Sequence, residues 1–175
     1  MESIKIPEFK NKQELYRFMN MRMVGLLSSE NDWLANLCNA SALMNQLMEE
    51  INWIGFYLQN GKDKLILGPF QGKPACVHLS YEKGVCGTAA KTKEVQLVPD
   101  VHAFEGHVAC DEASQSEIVI PLIVDDEVVG VLDIDSPVLN RFDEEDKEGL
   151  EKITETLVKY LDWEAVKEHC SKIPE

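Results

Sequence analysis

The sequence predicts an α+β domain built on an antiparallel central sheet, with helices packed on it, helices before it and one long helix after it. Helical apolar spacing fills roughly residues 1–50 and returns over 143–170, whereas 52–142 holds short β-branched and aromatic runs separated by Gly, Pro, Asn and Asp. Strands grouped together, rather than alternating with helices, are the pattern of an α+β fold. Asn60-Gly61 between two such runs is the strongest short hairpin signal. The 175 residues, 45% hydrophobic and 27% charged, suit one domain with its own core, and no repeat, low-complexity tract or linker divides them.

Asn11, with Glu14 three residues later, opens the first helix, whose apolar positions are Leu15, Phe18, Met21, Val24 and Leu27. A second helix is expected over Asp32 to Glu50, with Leu34, Leu37, Cys38, Met44, Leu47 and Met48 on one stripe. NWIGFYLQ and KLILG are strands on either side of Asn60-Gly61. Pro69 to Pro74 is expected as loop, Cys76 to Leu79 as a short strand and Gly84 to Thr92 as a short helix. Val95 to Val98 is a strand stopped by Pro99. The long polar segment from Pro99 to Ser116 lacks periodicity, a feature more common in functional loops than idle ones. Ile118 to Val124 and Val128 to Ile134 form a second hairpin across Asp125-Asp126-Glu127. Asp143 caps the last helix, with Glu144, Glu145 and Asp146 at its positive end, and the helix is expected to continue through Trp163 to about His169.

The net charge of −14, without clustered Lys or Arg, argues against a nucleic-acid partner. The longest apolar run, Ile118 to Val124, is too short to span a bilayer, which takes ~20 residues. MESIKIPEFK has no apolar segment of a secretory signal. The expectation is a cytoplasmic protein whose thiols are kept reduced.

Chemistry is concentrated in Cys76, Cys86 and Cys110, which lie in PACVHL, GVCGTA and HVACDEAS. No pair has CxxC spacing, so neither a zinc site nor a thioredoxin-type dithiol is indicated. Cys110 shares its loop with His102, His107, Asp111 and Glu112, but H-x4-H-x2-C matches no metal-ligand pattern, and no metal is expected. Acidic neighbours raise a thiol's pKa, so a nucleophilic Cys110 needs help from backbone N–H groups, a helix N-terminus or bound substrate. Cys76 alternates with His78 along its strand, and Cys86 sits between glycines where backbone can approach a ligand. Cys38 is expected in the core and Cys170 in a frayed, idle terminus.

Asp133 and Asp135, two apart at the end of VVGVLDID, share a strand face, and Glu117 opens the other strand of that hairpin with no Lys or Arg close by in the chain. Carboxylates near a core are costly unless paired, and a bound ammonium group would pair them. A two-residue turn at Asp125-Asp126 would set Glu117 opposite Ile134 and send it to the other face from both aspartates. A substrate site built from the three acids therefore requires a three-residue connection or a bulge with the same effect.

NWIGFYL, LGPFQGKPAC, GVCGTAA, VPDVHAF, GHVACDEASQSEIVIPL and GVLDIDSP, in this order and with these cysteine spacings, resemble the free methionine-(R)-sulfoxide reductases, stand-alone GAF-domain enzymes. The resemblance covers about Asn52 to Phe142 and implies a GAF-like fold. It implies that Cys110 is the nucleophile, Cys76 the recycling cysteine and Cys86 auxiliary. It implies too that Glu117, Asp133 and Asp135 hold the substrate and polarise its sulfoxide, and that Trp53 walls the substrate methyl, with Tyr57 on the same strand face. The implied substrate is free methionine-(R)-sulfoxide and the reductant an external dithiol such as thioredoxin. No bound cofactor and a homodimer are also implied. A non-catalytic GAF small-ligand sensor and a thiol redox sensor are the competing readings.

Overall fold

The computed structural model describes residues 6–106 and 111–174. Two helices come first, α1 (Lys12–Leu27) and α2 (Trp33–Leu47). Six strands follow: β1 (Trp53–Gln59), β2 (Lys64–Gly72), β3 (His78–Ser80), β4 (Gln96–Val98), β5 (Ser116–Val124) and β6 (Glu127–Ser136). Helix α3 (Gly84–Thr92) lies between β3 and β4, and α4 (Glu144–Tyr160) and α5 (Trp163–Cys170) close the chain. The strands form one sheet in the order β3-β2-β1-β6-β5-β4, with every neighbouring pair antiparallel. No helix among the described residues is long and apolar enough to cross a membrane.

Strand alternation divides the buried residues into two clusters. Ile54, Phe56, Ile118, Ile120, Leu132 and Ile134 point to one face, where they pack with α1, α2, α4 and α5 into the main core. Trp53, Tyr57, Val119 and Val131 point to the other, which is covered by α3 and loops and leaves room for a pocket. Helix entries follow local rules. Asn11, Asp32, Asp143 and Asp162 each accept a first-turn N–H, and Asp143 with Asp146 makes a reciprocal capping box. At α1 the arrangement is only half a box, because Glu14 accepts from Lys10 rather than from Asn11.

The acid-bearing hairpin resolves the register question. Val124 pairs with Glu127 across a two-residue turn whose Asp125 and Asp126 have φ of 49 and 65, the left-handed pair that a twisted hairpin favours. Ile123 pairs with Val128 but Leu122 with Gly130, so Val129 is the extra residue of a bulge. The shift sets Glu117 opposite Asp135 and Val119 opposite Asp133, placing all three acids on the face away from the main core.

Several expectations are corrected. The last helix is not continuous: Leu161 is extended, Asp162 caps a new helix, and the turn lets Trp163 and Val166 reach the core. Cys170 is thereby buried rather than frayed. Cys38 is exposed, as is Leu34, because α2 buries Leu37, Ala40, Met44 and Leu47, a stripe rotated away from both. α2 ends at Leu47, not Glu50. Pro69 and Phe70 belong to β2, where a register shift opposite Gly55 and Tyr57 accommodates a residue with no N–H. β3 starts at His78, so Cys76 precedes the strand instead of alternating within it.

Candidate active site

The register aligns a row of side chains across three strands. Trp53 on β1 is opposite Asp135 on β6, which is opposite Glu117 on β5; in the next row on that face stand Gly55, Asp133 and Val119. Gly55 is required there, because a Cβ would lie 2.3 Å from that of Phe70 and 2.8 Å from the Trp53 ring. Gly72, at φ +137, clears the indole from the other side. Trp53 is thus stacked between Tyr57 and Phe70, at ring separations of 5.8 and 5.3 Å, and its indole N–H donates to the Lys73 carbonyl at 3.1 Å. Tyr57 donates its hydroxyl to the Cys76 carbonyl at 3.0 Å.

These residues line a pocket whose empty space, counted out to its open mouth, is about 590 Å³. Trp53 and Tyr57 form one wall, Glu117, Asp133 and Asp135 the base, and Gly84, Val85 and Cys86 of α3 the facing side. Lys83, the N-cap of α3, supplies no side-chain cap bond, so the positive end of that helix opens on the pocket.

Glu117 and Asp133 are each 6% exposed. Burial, then the charge of Asp133, holds the carboxyls of Glu117 and Asp135 well above the ordinary range. Asp133 is pushed up to about 6 by burial and restrained by hydrogen bonds from Cys86 and Glu117. Burial and mutual repulsion therefore favour the protonated forms within the cluster. One oxygen of Asp133, Oδ1, is buried and accepts no hydrogen bond among the described residues. Burial first, then the charge of Asp133, also keeps the Cys86 thiol protonated, which is the wrong environment for a nucleophile. Cys86, Glu117 and Asp133 bring ligand atoms within 4.8 Å of one another, the one such group among the described residues that could in geometry surround a cation.

The structure thus brings Trp53, Tyr57, Cys86, Glu117, Asp133 and Asp135 to one pocket. Cys76 is half-buried beside it, next to the lining residues Pro74 and Ala75. Cys110 and His107 lie outside the described residues, and His102 sits in a short 3-10 turn (Val101–Ala103), where its side chain is exposed. The acids do have cationic company: Lys73 and Lys83 line the same pocket from distant parts of the chain. Sequence reading passed over Asn52, Lys73 and Ser114. Asn52 donates to Asp111 at 3.2 Å and to Ser114 at 3.1 Å, Lys73 donates to Asp111 at 3.1 Å, and Ser114 hydrogen-bonds the Asp135 carboxyl. Only proximity in the chain could have drawn attention to them, of Lys73 to Cys76, of Ser114 to Cys110 and of Asn52 to Trp53.

A family model described as GAF domain matches residues 29–162. The free methionine-R-sulfoxide reductase of Escherichia coli (strain K12) is 50% identical over 151 residues, 86% of this chain and 91% of that protein. The free methionine-R-sulfoxide reductase of Saccharomyces cerevisiae is 46% identical over 156 residues, 85% of this chain and 87% of that protein. The solved structure of free methionine-R-sulfoxide reductase from Neisseria meningitidis, in complex with its substrate, superposes with a TM-score of 0.88 at 37% identity, covering 97% of this chain and 99% of that one.

Proposed function

Because the chain belongs to the free methionine-R-sulfoxide reductase family of GAF domains, we propose that it reduces free methionine-(R)-sulfoxide to methionine by thiol chemistry. The observation that carries this reading is the row Trp53, Asp135 and Glu117, which the hairpin bulge turns to the pocket beside Asp133 and its unpartnered oxygen.

The substrate's α-ammonium is received by the acid cluster, where it replaces the missing partner of Asp133 and offsets the cost of burying that charge. Its α-carboxylate lies toward the first turn of α3, at the positive end of the helix. Trp53 and Tyr57 flank the apolar side chain. The same carboxyls explain preference for the free amino acid, because a peptide-linked residue offers a neutral amide where the site is built for a cation.

Cys110 attacks the sulfoxide sulfur as thiolate. Protonated Glu117 hydrogen-bonds the sulfoxide oxygen and gives up its proton as the S–O bond breaks, a role that its raised pKa suits. Methionine leaves as the protonated oxygen passes from its sulfur to Cys110 Sγ, which breaks both the S–O bond and the transient bond between the two sulfurs; two electrons have moved from the thiolate to the sulfoxide, and Cys110 is left as sulfenic acid. The Cys76 thiol condenses with it, releasing water and forming a disulfide, and thioredoxin or a similar dithiol reduces that bond by exchange. Cys86 serves as a proton-bearing hydrogen-bond donor to Asp133 rather than as attacking sulfur. No metal or bound cofactor takes part, and the working form is a homodimer in the cytoplasm.

The test is chromatographic: purified protein with thioredoxin, its reductase and NADPH should consume free methionine-(R)-sulfoxide and leave the S epimer and peptide-linked sulfoxide untouched. Binding of the R epimer without its consumption would favour a GAF ligand sensor, and oxidation of the thiols by peroxide alone, with no methionine formed, would favour a redox sensor.

A further inference from the structure

We propose that Cys86, Glu117 and Asp133 form a binding site for a thiophilic divalent cation of the zinc class, and that the ion, once seated, closes the pocket to the amino acid. The metal site stands on its own geometry, whereas the blocking effect rests on the reading of this pocket as the methionine-(R)-sulfoxide site.

One ligand atom from each of the three residues lies within 4.8 Å of the others, and all three side chains line the pocket. A tetrahedral zinc ion holds sulfur at about 2.3 Å and carboxylate oxygen at about 2.0–2.2 Å, which sets its ligand atoms about 3.3–3.8 Å apart. Inward shifts of about 1 Å or less per atom close the set around an ion. The elements that carry the ligands are held in place. Glu117 and Asp133 stand on the neighbouring strands β5 and β6, and Cys86 is in the first turn of α3. A Cβ on Gly87 would lie 2.3 Å from the Ser80 carbonyl oxygen, so α3 is pressed against the end of β3.

Asp133 gives the independent sign of a missing partner. It is 6% exposed, and its Oδ1 is buried with no hydrogen-bond donor among the described residues. It does accept hydrogen bonds from the Cys86 thiol and the Glu117 carboxyl, each of which needs a proton lying between two of the three residues. A dication replaces those two protons without changing the net charge of the cluster. Burial therefore weighs far less on the metal-bound set than on three separate anions.

The donor set selects the ion. Thiolate suits zinc and cadmium, whereas magnesium and calcium want about six or more oxygen donors. With three ligands from the protein, the fourth position faces the pocket and is left to water. An ion seated there takes the place of the substrate's ammonium at Asp133. It also removes the proton that Glu117 gives to the sulfoxide oxygen. The result is inhibition that competes with substrate and is reversed by a chelator.

The test titrates Zn²⁺ and Cd²⁺, as chlorides in a non-chelating buffer, into the reduced full chain carrying Cys38→Ser, which removes the exposed thiol on α2. The expected result is one Cys86-dependent ion per chain, with the ultraviolet charge-transfer band of a cadmium–thiolate bond. At least one proton should leave per ion, read from the change of binding enthalpy with buffer ionisation. Adding Cys86→Ser should remove the band and weaken binding about 100-fold, and Asp133→Asn should weaken it about tenfold or more, both with unchanged circular dichroism. Without either substitution, saturating free methionine should weaken Zn²⁺ binding, and millimolar Mg²⁺ or Ca²⁺ should leave it unaltered. A band and affinity that survive Cys86→Ser overturn the site, because the ion would then sit on other thiols. Zn²⁺ and methionine binding without competition overturns the blocking effect. A metal-free chain that converts no methionine-(R)-sulfoxide would overturn the reductase reading instead and leave the metal site standing.

Discussion

Asp133 is the residue where stability and function pull apart. Its acid pKa is raised to about 6 from an ordinary 3.8, so the folded state holds a proton that the unfolded chain has already lost. Below the unfolded value both states are protonated and nothing is lost; as pH rises through the folded value the native state must carry a buried charge, and stability falls. Glu117 and Asp135, also raised, act in the same direction. Asp133→Asn should therefore raise the melting temperature by about 2–6 °C at pH 7.5, leave it unchanged at pH 4, and remove most substrate turnover. Calorimetry at the two pH values with a parallel assay checks this; equal shifts at both would mean that the gain comes from packing rather than from charge. The two thiols divide differently. Cys110→Ser should release no methionine even from one equivalent of sulfoxide, whereas Cys76→Ser should release one per chain and then stall with thioredoxin. Quantified single-turnover methionine decides it, and a normal yield from Cys110→Ser would remove it as nucleophile.

Among the elements, the β5–β6 hairpin shows how one residue sets the chemistry of a whole face. The Asp125-Asp126 turn by itself would put Glu117 opposite Ile134, and only the bulge at Val129 carries it to Asp135. Because the acids lie at strand ends, Glu117→Gln and Asp135→Asn should each lower kcat/KM at least tenfold while leaving the circular dichroism spectrum and cooperative unfolding intact. Full activity in both variants would reduce the cluster to a solvated strand end. Elsewhere the elements are purely structural. Tyr16 on α1 lies so close to α4 that a Cβ on Gly149 would sit 2.2 Å from its ring, and its hydroxyl donates to Asp146 at 2.7 Å. Asp146, 1% exposed, also takes Lys12 at 2.6 Å. Gly149→Ala should therefore cost about 1–3 kcal/mol in a denaturant titration without changing kcat at low temperature.

For the whole molecule, the sheet gives one face to four helices and the other to α3 and loops, and the pocket lies on the more lightly covered side. A ligand that bridges β1, β6, β5 and α3 should couple to global unfolding. Methionine, the product, at about 100 times its Kd should stabilise the protein by about 2.7 kcal/mol, or roughly 5–10 °C in melting temperature. Asp135→Asn should abolish most of that shift, which differential scanning fluorimetry reads directly. An equal shift in the variant would move the amino-acid site away from the cluster.

What the sequence determined by itself is what short-range physics governs. Asn11, Asp32 and Asp143 announce helix starts because an acceptor side chain meets free N–H groups within three residues. Asn60-Gly61 and the alternation in NWIGFYLQ mark a hairpin and place Trp53 and Tyr57 on one face. The spacing of Asp133 and Asp135 places both carboxyls together, and the requirement that Glu117 join them demands a three-residue connection or a bulge, but only the fold chose the bulge and set it at Val129. Asp162 was an equally local signal, overlooked because the apolar spacing runs on through it. The tertiary structure alone decided which side of α2 is buried, leaving Cys38 in solvent, and that Cys170 is covered. Only folding brought Lys73 to Asp111 and Asn52 to Ser114, because pairs separated by 38 and 62 positions meet through strand order rather than through any pattern in their neighbours. The raised pKa of Glu117 is likewise a property of the assembled pocket: a carboxyl holds its proton more tightly when water is excluded and another charge is held beside it, and neither condition exists in an extended chain.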